Sequence, residues 1–100
     1  MNNITKVSEI TASDVADYIR LDEVTEDDEQ YLTTLIDVSK SFMSQYTGRP
    51  TEELDNFADF VIVVFVLCQD MYDNRALYVD KTNLNKVVET ILGLHQVNLL

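Results

Sequence analysis

Between Pro50 and Gly93 the chain contains neither glycine nor proline, and before that stretch its only other glycine is Gly48. Strands in a small domain need a turn every few residues, and turns draw on these two residue types. A chain of 100 residues with so few such positions is expected to fold through helices. The expectation is all-α: a small bundle of three to four helices with one long central apolar helix. The length fits a single domain over residues 1–100, and 46% hydrophobic residues suffice for one modest core.

The helices can be placed from caps and spacing. Thr11 followed by Asp14 has the form of a capping box, and Val15, Tyr18 and Ile19 give one buried face. Thr25 is the expected N-cap of a second helix ending near Tyr46 or Thr47. Its stripe is Leu32, Leu35, Ile36, Ser39, Phe42, Met43 and Tyr46. Gly48 then supplies a left-handed stop, and Pro50 keeps Arg49 extended. Thr51 is expected to cap a third helix over about residues 52–77. Val61, Ile62, Val63 and Val64 suit a strand locally, but the apolar pattern extends both ways at helical spacing. That helix carries more apolar surface than one stripe needs, with Phe60, Ile62, Val63, Val66 and Leu67 off the main face. Such a helix lies either at the bundle centre or against another subunit. A short last helix over about residues 84–92 is expected to end at Gly93, leaving an uncharged tail over 93–100.

Charge limits the partners. The formal net charge is −11, and residues 1–56 hold 13 acids against 4 basic residues. Six of those acids fall within residues 22–29. Phosphate backbones and anionic membranes repel such a chain, so sequence-independent DNA binding is not expected. The apolar run around Val61 to Cys68 is far shorter than the roughly 17–25 residues of a membrane-spanning helix. Residues 1–6 show no apolar stretch behind a basic region, so no signal peptide is expected. The expectation is a soluble protein.

Catalytic patterns are hard to assemble from these residues. His95 and Cys68 are the single histidine and cysteine, which leaves little for a zinc site or a Cys–His pair. Two glycines 45 positions apart form no phosphate loop, and the acidic run lacks the glycine of a calcium-binding loop. No catalytic residue, cofactor or metal is therefore expected. Arg49, Arg75 and the tail stand out instead as candidate partner contacts, with Val97, Leu99 and Leu100 in the tail and Phe60, Val63 and Leu67 on the spare helix face. Each has a plain alternative. Arg49 is a residue exposed in a loop, Arg75 pairs with a carboxylate of its own chain, and the tail folds back on its own core.

Three local motifs join into a recognisable order. They are Asp17-Tyr18-Ile19-Arg20-Leu21-Asp22, Ser44-Gln45-Tyr46-Thr47-Gly48-Arg49-Pro50 and Asp70-Met71-Tyr72-Asp73-Asn74-Arg75. Their spacing resembles the head–tail connector (adaptor) proteins of tailed phages, also labelled DNA-packaging proteins. The resemblance spans about residues 10–92, and the Tyr-Thr-Gly-Arg turn is its most specific part. It implies a helical protomer that assembles with itself into a ring of about a dozen copies beneath the portal protein. Such a ring extends the DNA channel and docks a stopper or tail-completion protein, and the protein then resides in the virion, after assembly in the host cytoplasm. DNA passes through without specific binding, and the C-terminal segment contacts the portal. The competing reading is a small acidic inhibitor that mimics DNA and blocks a nucleic-acid-binding protein.

Overall fold

A computed structural model describes residues 4–97. Among them every regular element is helical: α1 (Ala12–Tyr18), α2 (Glu26–Thr47), α3 (Phe60–Asp73) and α4 (Lys86–Leu94), with 3-10 turns at Val7–Glu9 and Thr51–Asn56. The fold is all-α, as the punctuation of the sequence requires.

Both early caps form as expected. Thr11 Oγ1 accepts from the Asp14 amide at 3.2 Å while Asp14 accepts from the Thr11 amide at 2.9 Å. Thr25 and Asp28 repeat the exchange, each bond 3.1 Å long. Glu26, Asp27, Asp28 and Glu29 fill the first turn of α2, where the helix dipole favours negative charge. The buried face of α2 is Leu32, Leu35, Ile36, Ser39, Phe42, Met43 and Thr47, with Tyr46 half-buried at its edge. Its long stripe lies along α3, and Tyr31 against Tyr72 with Ser39 against Cys68 shows that the two helices run antiparallel. Tyr18 of α1 rests on Phe65 of α3, with ring centroids 5.1 Å apart.

The third helix is shorter than the sequence suggests. Instead of one helix over 52–77, the chain makes a 3-10 turn, bends at Phe57 (φ −125°, ψ 106°) and enters α3 at Phe60. Asp55 is drawn away to Ser8, accepting from its amide at 2.8 Å and from its hydroxyl at 2.6 Å. Leu54 is thereby buried and Phe57 is turned toward the end of α4. Asp55, Asn56 and Asp59 are weak helix formers, so local propensity and these tertiary contacts act together to break the helix. Thr51 makes no capping bond; Pro50 occupies the cap position.

Of the spare apolar face of α3, Phe60, Val63 and Leu67 lie inside the protomer, while Ile62 and Val66 are half-buried. Phe60 and Val63 are fully buried and Leu67 is 2% exposed, covered by α1, α2 and α4. Full burial of each such side chain stabilises the fold by about 1.5–3 kcal/mol. Of the two alternatives for a helix apolar all round, this one lies at the bundle centre, and these three residues offer no surface to a partner.

Three chain reversals use left-handed residues. Gly48 (φ 73°) follows α2 and its amide returns to Ser44 O at 3.0 Å. Arg20 (φ 64°) follows α1, with Leu21 N bonded to Ala16 O and Arg20 N to Asp17 O. Arg75 (φ 53°) follows α3, with Ala76 N bonded to Met71 O and Arg75 N to Tyr72 O. The last two are Schellman motifs with arginine where glycine is usual. The motifs singled out in the sequence are therefore three helix stops. Gly93 is not a fourth: it sits within α4, which runs to Leu94 and is entered through Asn85, whose side chain accepts from Val87 N at 2.8 Å.

Left-handed backbone is unfavourable for a side chain and free for glycine. Gly48→Ala is expected to lower stability by about 1 kcal/mol, whereas Arg20→Gly raises it by about 0.5 kcal/mol. Denaturant melts of the two variants, compared with the parent, measure both signs.

Candidate interaction site

The polar and aromatic contacts that close the fold gather where α2, the Thr51–Asn56 turn and the end of α4 meet. Gly48 releases the chain from α2, and the Ser44 hydroxyl donates to the carbonyl of Arg49. Arg49 then reaches three ways. Its Nε donates to His95 O at 2.8 Å, its Nη1 meets Glu53 Oε1 at 3.0 Å, and its guanidinium lies 4.7 Å above the Phe57 ring. Phe57 also stacks on His95 with centroids 4.2 Å apart, and Phe60 meets His95 edge-on at 5.1 Å. His95 Nε2 stands 2.9 Å from Asp59 Oδ2. Beyond it, Gln96 Nε2 donates to Tyr46 O at 3.0 Å and the Val97 amide to Thr47 O at 2.8 Å. The open carbonyls at the end of α2 are thus capped by the returning tail.

This settles the tail as far as Val97: it folds back on its own protomer. Leu99 and Leu100 lie outside the described residues. Arg49 is not a loop arginine awaiting a partner, because all three of its interactions are internal. Sequence reasoning passed over Phe57, Asp59 and His95 here. The signal for them was the 3-10 bend, which apolar periodicity through Phe57 concealed.

A second surface lies at the other end of the bundle, around the loop over residues 74–85. Arg75 is exposed and its guanidinium packs 5.0 Å over Tyr72; among the described residues it forms no ion pair. Leu77, expected as the end of a helix, and Tyr78 stand 57% and 69% exposed. On α4, Val87 and Leu94 are also exposed, seven positions apart on its outer face. The loop encloses a cleft of about 490 Å3 against α3, bordered by Leu67, Met71, Tyr78 and Leu84 with Asp70 and Asn83. Burial, and then the neighbouring Asp73, push the Asp70 carboxyl above its ordinary range.

Burial pushes the Cys68 thiol up to about 11, only partly offset by its contact with Ser39, so it stays protonated and inert. Among the described residues no three His, Cys, Asp or Glu side chains converge as a metal site. Asp55 is held low by its two bonds from Ser8, and Asp80 by its bonds from Asn83, both in structural turns.

No protein-family model, curated protein or solved structure matches this chain.

The Arg49 corner combines a hydrogen bond from a charged donor, an exposed ion pair and a cation–π contact. Arg49→Ala is expected to lower protomer stability by about 1.5–3 kcal/mol, and Arg49→Lys to recover only part, since an ammonium cannot reproduce the fork. Chemical denaturation with hydrogen exchange at the Val97 amide measures the effect and locates it. Asp70 gives a pH-dependent case. A carboxylate raised in the folded state is destabilising once ionised, so Asp70→Asn helps at neutral pH. The gain, about 0.3 kcal/mol or somewhat more near a helix C-terminus, disappears as pH falls below the ordinary value of 3.8. Thermal melts at pH 7 and pH 3 compare the two.

Proposed function

We propose that this chain is a structural subunit of a tailed-phage head–tail connector. It assembles as an oligomeric ring beneath the portal, extends the DNA channel and docks a stopper or tail component. The observation that carries the reading is a set of exposed large apolar side chains, Leu77, Tyr78, Val87 and Leu94, on a helical protomer whose own core is complete without them. Exposed apolar surface of this kind is characteristic of proteins that assemble. The order of the three helix-stop motifs supports the phage family specifically, through resemblance. An acidic subunit also suits a channel through which DNA slides without sticking.

The acidic-mimic reading draws on the net charge of −11. A mimic needs carboxylates spread along one surface like phosphates. Over residues 30–47, most of the long helix α2, the chain has one acid, Asp37, and one base, Lys40. The acidity is concentrated at residues 22–29 and 52–59, at the ends of the helix and not along its length. That distribution favours the connector.

Light scattering over a wide concentration range, alone and with a candidate portal ring, tests the choice. The expected outcome is a discrete species of about a dozen protomers or stoichiometric capture by the portal. A strict monomer that ignores the portal and titrates a DNA-binding enzyme would overturn it in favour of the mimic.

A further inference from the structure

Two surface patches of opposite character remain unmatched within the protomer. The first is the loop after α3. Three of the seven basic residues of the chain, Arg75, Lys81 and Lys86, fall within residues 75–86, where Asp80 is the sole acid. All three are exposed, and between them stand Leu77 and Tyr78. The second patch is residues 22–29, with six acids around Val24, itself 44% exposed. The two patches approach each other toward one end of the bundle only at the root of the loop, where the Tyr31 hydroxyl near the start of α2 meets Ala76 O at 3.4 Å; Leu77, Tyr78 and Lys81 then run beside Val38, Phe42 and Gln45, further along α2. Yet the charges do not pair across that end: the ion pairs among the described residues are Arg49–Glu53 and His95–Asp59, at the opposite corner.

We propose that the loop over residues 74–85 docks on the acidic segment over residues 22–29 of a second copy of this chain. Leu77 and Tyr78 cover Val24, and Arg75, Lys81 and Lys86 face the carboxylates. The apolar residues supply buried area, and the opposed charges fix which surfaces meet. A polyanion such as nucleic acid is a poorer occupant of the loop. Three cations beside Asp73 and Asp80, on a molecule of net charge −11, attract a compact acidic segment carrying an apolar centre better than an extended phosphate chain. Because the two patches differ, the contact propagates from copy to copy, the kind of interface a closed ring requires.

This inference rests on the connector reading and specifies its subunit contact. The test is a charge exchange in the full chain, followed by sedimentation velocity at low salt. Arg75→Glu with Lys81→Glu makes both patches acidic; Glu23→Lys with Asp27→Lys leaves four acids against two lysines in the acidic segment and so removes most of its net charge, and neither pair touches the Thr25–Asp28 cap. Each double variant alone is expected to lose at least about tenfold in self-association, and a 1:1 mixture to recover a pairwise contact, since the intact loop of one variant meets the intact acidic segment of the other. Leu77→Ser, which changes no charge, is expected to weaken association too, and circular dichroism melts verify that every variant is folded. Assembly that survives both reversals, or a mixture that stays dissociated, overturns this interface and leaves the connector reading standing. A parent chain that binds the portal as separate copies does the same. A parent chain that neither self-associates nor binds the portal overturns both.

Discussion

The burial of α3 governs the rest of the molecule. Phe60, Val63, Val64, Phe65 and Cys68 cover more than half the circumference of one helix, and each is fully buried, while Ile62 and Val66 on the remaining side are half-buried. A helix of this kind cannot lie on a surface, so the chain must wrap it. α2 covers it along most of its length, α1 closes one side through Tyr18 on Phe65, and α4 closes another through Val88 and Leu92. The 3-10 turns serve the same end, bringing Val7 and Leu54 into the core where longer helices would point them elsewhere. With polar neighbours this close, Ser39 and Thr47 are tolerated inside because their hydroxyls return to the carbonyls of Leu35 and Met43 one turn earlier.

The features that rest on local chemistry were legible in the sequence. The capping boxes at Thr11 and Thr25, the stripe of α2 and the stop at Gly48 depend on residues within a turn of one another, and each forms where expected. Features that depend on distant partners were not. The break before α3 exists because Ser8 holds Asp55, 47 positions away, and because His95, from the far end of the chain, and Arg49 hold Phe57. Periodicity saw only that Leu54, Phe57 and Val61 were apolar at helical spacing. The same blindness applied to Phe60, Val63 and Leu67. A sequence shows that a helix is apolar all round but not whether its own chain is long enough to cover it, and here α1, α2 and α4 suffice. Gly93 was misread for a related reason: its neighbours in α4 hold the helix through it, and open space around it leaves the glycine without a steric role.

Covering most of α3 has a consequence for assembly. Apart from Val24, the large apolar side chains left exposed are those on the loop after α3 and on the outer face of α4, elements that contribute few residues to the core. A surface placed there can be altered with little effect on the fold, because Leu54 and Phe65 do not depend on it. The tail differs. Through His95 and Val97 it is bound to the end of α2 by directional contacts and not by deep burial, so it is specific yet separable from the core.

The arginines at helix stops sharpen this division. Arg20 and Arg75 each hold a backbone conformation that glycine adopts freely and a side chain resists by about 1–2 kcal/mol. Some of that is returned by placing a positive charge at the negative end of a helix. The Schellman bonds themselves need only the backbone, so glycine would end either helix as well. Retaining arginine turns a stop into an outward-facing cation. At Arg75 that cation stands beside Leu77 and Tyr78, at the end of the bundle where the acidic segment also lies. Within the protomer the strain is offset in part, by charge at the helix end and, for Arg75, by packing over Tyr72, while both side chains stay exposed to whatever the protomer meets.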